Sequence, residues 1–207
     1  MVTDTASIYV QDHGFFLADR DASTPLETMD YSTGLAGVME SAVLIHAGID
    51  RGYVAVTAQA LEHPVGMDTA EQWADVASWD DVAEVSLYVP NASLTVEQLT
   101  YGPSESRPQL PDLSPYGPGH YRVRIHASGR DRHYDQVIDQ SGERFHFVTW
   151  PAPPAAPLVI KATSRCGYGL RLNALHAPRH SEPVPPTSAQ QAEAQRQALL
   201  RRNLLNR

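Results

Sequence analysis

The segment GHYRVRIHASGRD, residues 119–131, reads as a β-strand and its closing turn. Tyr121, Val123 and Ile125 alternate with Arg122, Arg124 and His126, so a period of two puts the apolar set on one face and the cationic set on the other. EVSLYVP (84–90) repeats the pattern, with Val85, Leu87 and Val89 directed inward and Glu84, Ser86 and Tyr88 outward. RFHFVTW (144–150) sets Phe145 and Phe147 against Arg144 and His146. The same reading takes in SIYVQDHGFFLAD (7–19), SAVLIHA (41–47), YVAVTAQAL (53–61), ASLTVEQL (92–99), PLVIKAT (157–163) and YGLRLNAL (168–175).

About nine short strands, separated by turn signals such as IDRG (49–52), Pro90-Asn91 and SPYGPG (114–119), predict an all-β fold, an antiparallel β-sandwich. A closed barrel is the alternative architecture. The one helical exception inside this body is DTAEQWADVASW (68–79), with Trp73, Val76 and Ala77 expected to face the sandwich. The domain is expected to span residues 1–177. PRHSEPVPPT (178–187) is proline-dense and reads as a stiff linker, and SAQQAEAQRQALLRRNLLNR (188–207) reads as a C-terminal helix. Ser188 caps its start, and arginines at its end suit the helix dipole.

A chain of 207 residues has room for one domain with a real core. Residues 1–180 hold twelve Lys and Arg against twenty-two Asp and Glu, net −10, whereas residues 181–207 carry four Arg and two Glu, net +2. An acidic body repels phosphate backbones and favours basic proteins as partners, so no direct nucleic-acid binding is expected. The N-terminus has no basic segment preceding an apolar run. The most apolar stretch, GVMESAVLIHAGI (37–49), contains Glu40 and His46 and is too short to span a bilayer. A soluble, cytoplasmic protein without a membrane partner is therefore expected. Cys166 is the only cysteine, which excludes an intrachain disulfide.

Two groups of residues are candidate sites. If strands 120–127 and 144–150 pair, Arg122, Arg124, His126, Arg144 and His146 form one patch, a candidate anion-binding set because arginine forks suit carboxylates and phosphates. The bland alternative is a sheet face whose arginines pair with the protein's own acids. Interleaved arginines oppose a metal among His120, His126, His133 and His146, so no metal and no cofactor is expected. The second group is acidic and aromatic: Asp68, Glu71, Asp75, Asp80, Asp81 and Glu84 around Trp73 and Trp79, a combination common at protein interfaces. Its plain reading is tryptophans in the core and wet acids outside. Cys166 has no base in a defined relation to it, and no phosphate-cradling loop is visible, so a non-catalytic protein is expected.

The order of SIYVQDHGFFLAD, RGYVAVTAQAL, EVSLYVP, PGHYRVRI and RFHFVTWPAP resembles the competence protein J family, small all-β inhibitors of a DNA-entry nuclease. The likeness runs over residues 5–165. WDDVAEVSL, YRVRIHASGRD and TWPAP also resemble a group of uncharacterised actinobacterial proteins. What the first resemblance implies is a protein-binding module of nuclease-inhibitor or immunity type, acting on a basic enzyme such as a nuclease. The chain departs from that family in its longer 101–119 loop, its linker and its C-terminal helix. Two alternatives stand beside this reading: a ligand-binding or hydrolytic sandwich using the Arg/His patch, and a structural protein that self-associates through residues 188–207.

Overall fold

The computed structural model describes residues 5–26, 29–99 and 110–176. The linker and C-terminal helix expected over 178–207, and residues 101–109 of the 101–119 loop, lie outside the described residues. In chain order the elements are β1 (Ala6–Val10), β2 (Gly14–Ala18), β3 (Ala36–Val38), β4 (Ala42–His46), β5 (Arg51–Ala60) and α1 (Ala70–Ala77). They continue with β6 (Asp81–Val89), β7 (Thr95–Glu97), β8 (Gly119–Ser128), β9 (Val137–Pro151), β10 (Leu158–Ala162) and α2 (Arg165–His176).

The strands form a six-stranded sheet, order β1-β5-β9-β8-β6-β10, and a four-stranded sheet, order β3-β4-β2-β7. The fold is mostly β, but the antiparallel sandwich expected from the sequence needs correction in three places. β5 and β9 run parallel, with Val56 opposite Phe145 and Ala58 opposite Phe147, so the larger sheet is mixed. Residues 7–19 make two strands rather than one. A bridge between Gln11 and Gly14 closes a turn whose Asp12 and His13 take φ of 49° and 61°, so β1 and β2 fall in different sheets. Residues 168–175 belong to helix α2. Asp131 accepts hydrogen bonds from the Arg165 and Cys166 amides through both oxygens, and Ser164 Oγ accepts from Gly167 N. Three orphan amides of the first turn are thereby satisfied, which overrides the weak two-residue alternation.

The main core lies between the sheets. Ile8, Val54, Val56, Val85, Leu87, Val123 and Ile125 from the larger sheet meet Phe15, Leu17, Val43, Ile45 and Val96 from the smaller one. Phe15 packs edge-on against Phe145 and Phe147, with ring centroids 5.2 and 6.2 Å apart. Full burial of side chains of this size contributes about 1.5–3 kcal/mol each.

The opposite face of the larger sheet is covered too. β8 is buried continuously from Tyr121 to Ala127. Arg124 donates through Nη2 to Val65 O on the segment leading into α1, and Arg122 donates through Nη1 to Ala155 O on the segment after β9. Among the described residues no helix is long and apolar enough to cross a membrane.

Candidate functional site

Helix α1 begins with a capping box: Thr69 Oγ1 accepts from Gln72 N, and Gln72 Oε1 accepts in return from Thr69 N. Its only buried residue is Val76. Trp73, expected to face the sandwich, is instead 53% exposed, and Ala77 is exposed as well. Asp68, Glu71, Asp75 and Asp80 are also exposed, so the helix and its flanks carry four exposed carboxylates and one solvent-facing indole.

The other acids of the expected partner surface lie elsewhere. Asp81 and Glu84 sit on β6 and are buried, at 2% and 8% exposure, because each pairs with a buried arginine. Asp81 Oδ2 accepts from Arg130 Nη2 at 2.6 Å, and Arg130, wholly buried, also donates to the carbonyls of Gly34 and His46 and to Ser164 Oγ. Burial works to raise the Asp81 carboxyl, but Arg130 and the Ser164 hydrogen bonds outweigh it and hold the group below the usual carboxylate value.

The cationic set shares one face, as the period of two requires, but it is divided. Arg122 and Arg124 both clasp Glu84, with Arg122 Nε 3.0 Å from Oε2 and Arg124 Nε 2.8 Å from Oε1. Arg124 also lies over the Trp150 ring, 5.6 Å from its centroid. The carboxylate that these forks suit is therefore supplied by the protein itself, where the sequence reading placed an anion site. His126 and His146 stand opposite each other on β8 and β9 with ring centroids 5.4 Å apart. Trp79 covers both: it tilts against His126 at 5.4 Å and stacks on His146 at 6.2 Å, while exposed Arg144 lies 5.1 Å from its centroid. Two hollows of about 380 and 370 Å³ open elsewhere, and none of these five residues lines either one. Among the described residues no group of three or more His, Cys, Asp or Glu side chains is arranged to hold a metal ion.

The larger hollow exposes a cluster that sequence reasoning missed. Its lining includes Asp131, Tyr134, Arg165 and Cys166. Cys166 Sγ lies 3.8 Å from His46 Nδ1, His46 stacks on His13, and His13 Nε2 is 3.3 Å from Asp135 Oδ1. A separation of 120 residues between Cys166 and His46 leaves no local signal of the pairing. Burial raises the thiol's pKa, and burial together with Arg130 and His13 pushes His46 down to about 3. Proton transfer from such a thiol to such an imidazole is steeply uphill, so the pair is not an activated nucleophile.

No family model matches this chain, and no curated protein matches it. Among solved structures it is similar to "Crocagin biosynthetic gene J", at 19% identity and TM-score 0.43, over 74% of this chain and 100% of that one. It is also similar to ComJ from Bacillus subtilis, described as an inhibitor of the DNA degrading activity of NucA, at 10% identity and TM-score 0.44, over 72% of this chain and 96% of that one.

Proposed function

We propose that this chain is a non-catalytic protein-binding module that docks a basic partner on the acidic, aromatic ledge formed by α1 and its flanks. The observation that carries this reading is Trp73, left 53% exposed on a helix that buries only Val76, in a segment where Asp68, Glu71, Asp75 and Asp80 are exposed as well. An indole left in water gains by being covered, and a basic surface gains by meeting exposed carboxylates. A formal net charge of −8 on the whole chain steers the same class of partner. The inhibitor or immunity type, with a nuclease as the partner, is the finer form of the proposal and follows from the resemblance of the sequence to the competence protein J family.

The test is co-expression of the full chain with each nuclease encoded beside its gene, reading complex formation by solution mass and nuclease turnover by DNA cleavage. A salt-sensitive complex that Trp73→Ala weakens about 30-fold, as loss of a central aromatic anchor does, supports the proposal. A complex indifferent to Trp73→Ala and Glu71→Lys, or the lack of any complex and of any slowed nuclease, overturns it.

A further inference from the structure

The hollow of about 370 Å³ is built where β6 and β8 reach the turn between β3 and β4. Tyr88 on β6 stands opposite His120 on β8, and their rings meet with centroids 5.0 Å apart and a tilt of 43°. Tyr88 N donates to Glu40 O at 2.9 Å, which fastens that turn to the larger sheet and sets Glu40 beside Tyr88. Ala152 N donates to His120 O at 3.0 Å and Ala155 N to Ser86 Oγ at 3.0 Å, and these two bonds bring Pro154 to the same opening. Met39 and Leu87, 6% and 1% exposed, complete the lining. Hydrogen bonds from the main chain thus hold the walls in place before anything enters.

Glu40 is exposed, and among the described residues its carboxylate has no hydrogen bond and no ion pair. Tyr88, 41% exposed, lines the same space. Arg122 approaches from behind the lining, donating through Nη1 to Ser86 Oγ and Ala155 O and through Nε to Glu84. Its side chain is 8% exposed, so it braces the wall and does not enter the hollow. Ser86 Oγ accepts from both Arg122 and Ala155, which takes up its lone pairs. What the hollow offers a ligand is one unpaired negative charge, one aromatic ring and an apolar lining. An anion is repelled by Glu40, and a neutral apolar ligand would cover that carboxylate without pairing it. A cation on an aliphatic stem meets all three: a charge-assisted hydrogen bond to Glu40, the face of Tyr88, and the apolar surface of Met39, Leu87 and Pro154.

We propose that this hollow binds an organic cation, a guanidinium or alkylammonium group, through Glu40 and the ring of Tyr88, with His120 positioning that ring. Free small cations and the arginine and lysine side chains of proteins share this chemistry. The formal net charge of −8 draws either towards the chain. Tyr88 lies seven residues along β6 from Asp81, about 23 Å from the end that follows α1, so the site does not rest on the docking proposed for the α1 ledge.

The experiment is NMR titration of the isotope-labelled full chain at pH 8 and low salt with three probes: N-acetylarginine methylamide, its neutral isostere N-acetylcitrulline methylamide, and methylguanidinium. Saturable shifts centred on the amides of Glu40, Tyr88 and His120 are expected, with a dissociation constant of about 1 mM for the arginine derivative. The citrulline isostere is expected to bind about 10-fold more weakly, as is the arginine derivative to Glu40→Gln, and Tyr88→Leu should cost about threefold. Methylguanidinium binding within about threefold of the arginine derivative assigns the site to free small cations, and binding about 10-fold weaker or more assigns it to a side chain presented by a protein. Equal affinity for the arginine and citrulline derivatives, binding indifferent to Glu40→Gln, or the lack of saturable shifts at these residues up to about 20 mM probe each overturns the site. The citrulline comparison is made on the unaltered chain and does not depend on how a variant folds. None of these readouts involves α1 or a protein partner, so failure of the cation site and failure of the docking proposal are separable.

Discussion

Replacing Glu84 by Gln tests whether the cationic face is a structural ion cluster. Glu84 is the one carboxylate clasped by Arg122 and Arg124, through hydrogen bonds of 3.0 and 2.8 Å, and the three side chains are 11%, 8% and 4% exposed. The glutamine is nearly isosteric, but its amide offers one acceptor oxygen and turns an NH₂ donor towards the second guanidinium. The arginines keep only neutral acceptors: Ser86 Oγ and Ala155 O for Arg122, and Val65 O for Arg124. Two buried cations without a counter-charge cost about 3–5 kcal/mol, the range found when one partner of a buried ion pair is removed. For a chain of this size that lowers Tm by about 6–20 °C. The assay is urea unfolding followed by far-UV circular dichroism, comparing midpoints at matched m-values. The combined variant Glu84→Met, Arg122→Met and Arg124→Met removes all three charges and is expected to recover most of the loss. A Glu84→Gln protein within about 1 kcal/mol of the parent would refute the reasoning, because it would mean that water, not Glu84, solvates the guanidinia.

Further outcomes follow from single contacts. Gly48→Ala brings a Cβ to 1.7 Å from the Arg130 carbonyl oxygen, a backbone collision that no side-chain rotation relieves, so soluble yield and Tm should collapse by an amount in the range of severe core defects, about 4 kcal/mol or more. Asp81→Asn should cost about 3–5 kcal/mol at pH 7 by orphaning Arg130. Because the Asp81 carboxyl is held below its ordinary value of 3.8, its contribution is present above that value and lost as pH falls through the lower folded one, so parent and variant should converge in acid unfolding. Asp131→Ala deprives the Arg165 and Cys166 amides of their acceptor and should loosen the first turn of α2 by about 1–2 kcal/mol, visible as faster amide exchange there. Trp73→Ala, at a half-exposed position, should leave urea stability within about 0.5 kcal/mol, which separates its role in binding from any role in folding.

The legible parts of this fold are those governed by nearest neighbours. Tyr121, Val123 and Ile125 do face the core while Arg122, Arg124 and His126 share the other side, because the pleat alone decides that alternation. The helix over 68–79 was expected with Trp73, Val76 and Ala77 facing the sandwich, of which only Val76 is buried, and the Thr69–Gln72 box that starts it is seen in the structure. What the second face of the larger sheet meets is not written in β8. Period alone left Arg122 and Arg124 open between an anion site and pairing with the protein's own acids, and the choice is made by Glu84 on the neighbouring strand, Val65 before α1 and Ala155 after β9. Trp73 and Trp79 show the same limit. Six residues apart on and beyond one short helix, one ends exposed and the other packs against two histidines of distant strands.

Composition and period by themselves determined that this chain makes a mostly β body with an acidic surface, since burial of alternating apolar side chains needs no knowledge of which strands become neighbours. Only the tertiary structure decided the parallel β5–β9 pairing, the helix at 165–176, and the meeting of Cys166 with His46. The physical reason is common to all three. Each depends on contacts between residues remote in the chain, whose free energy outweighs a local preference of a few tenths of a kcal/mol per residue.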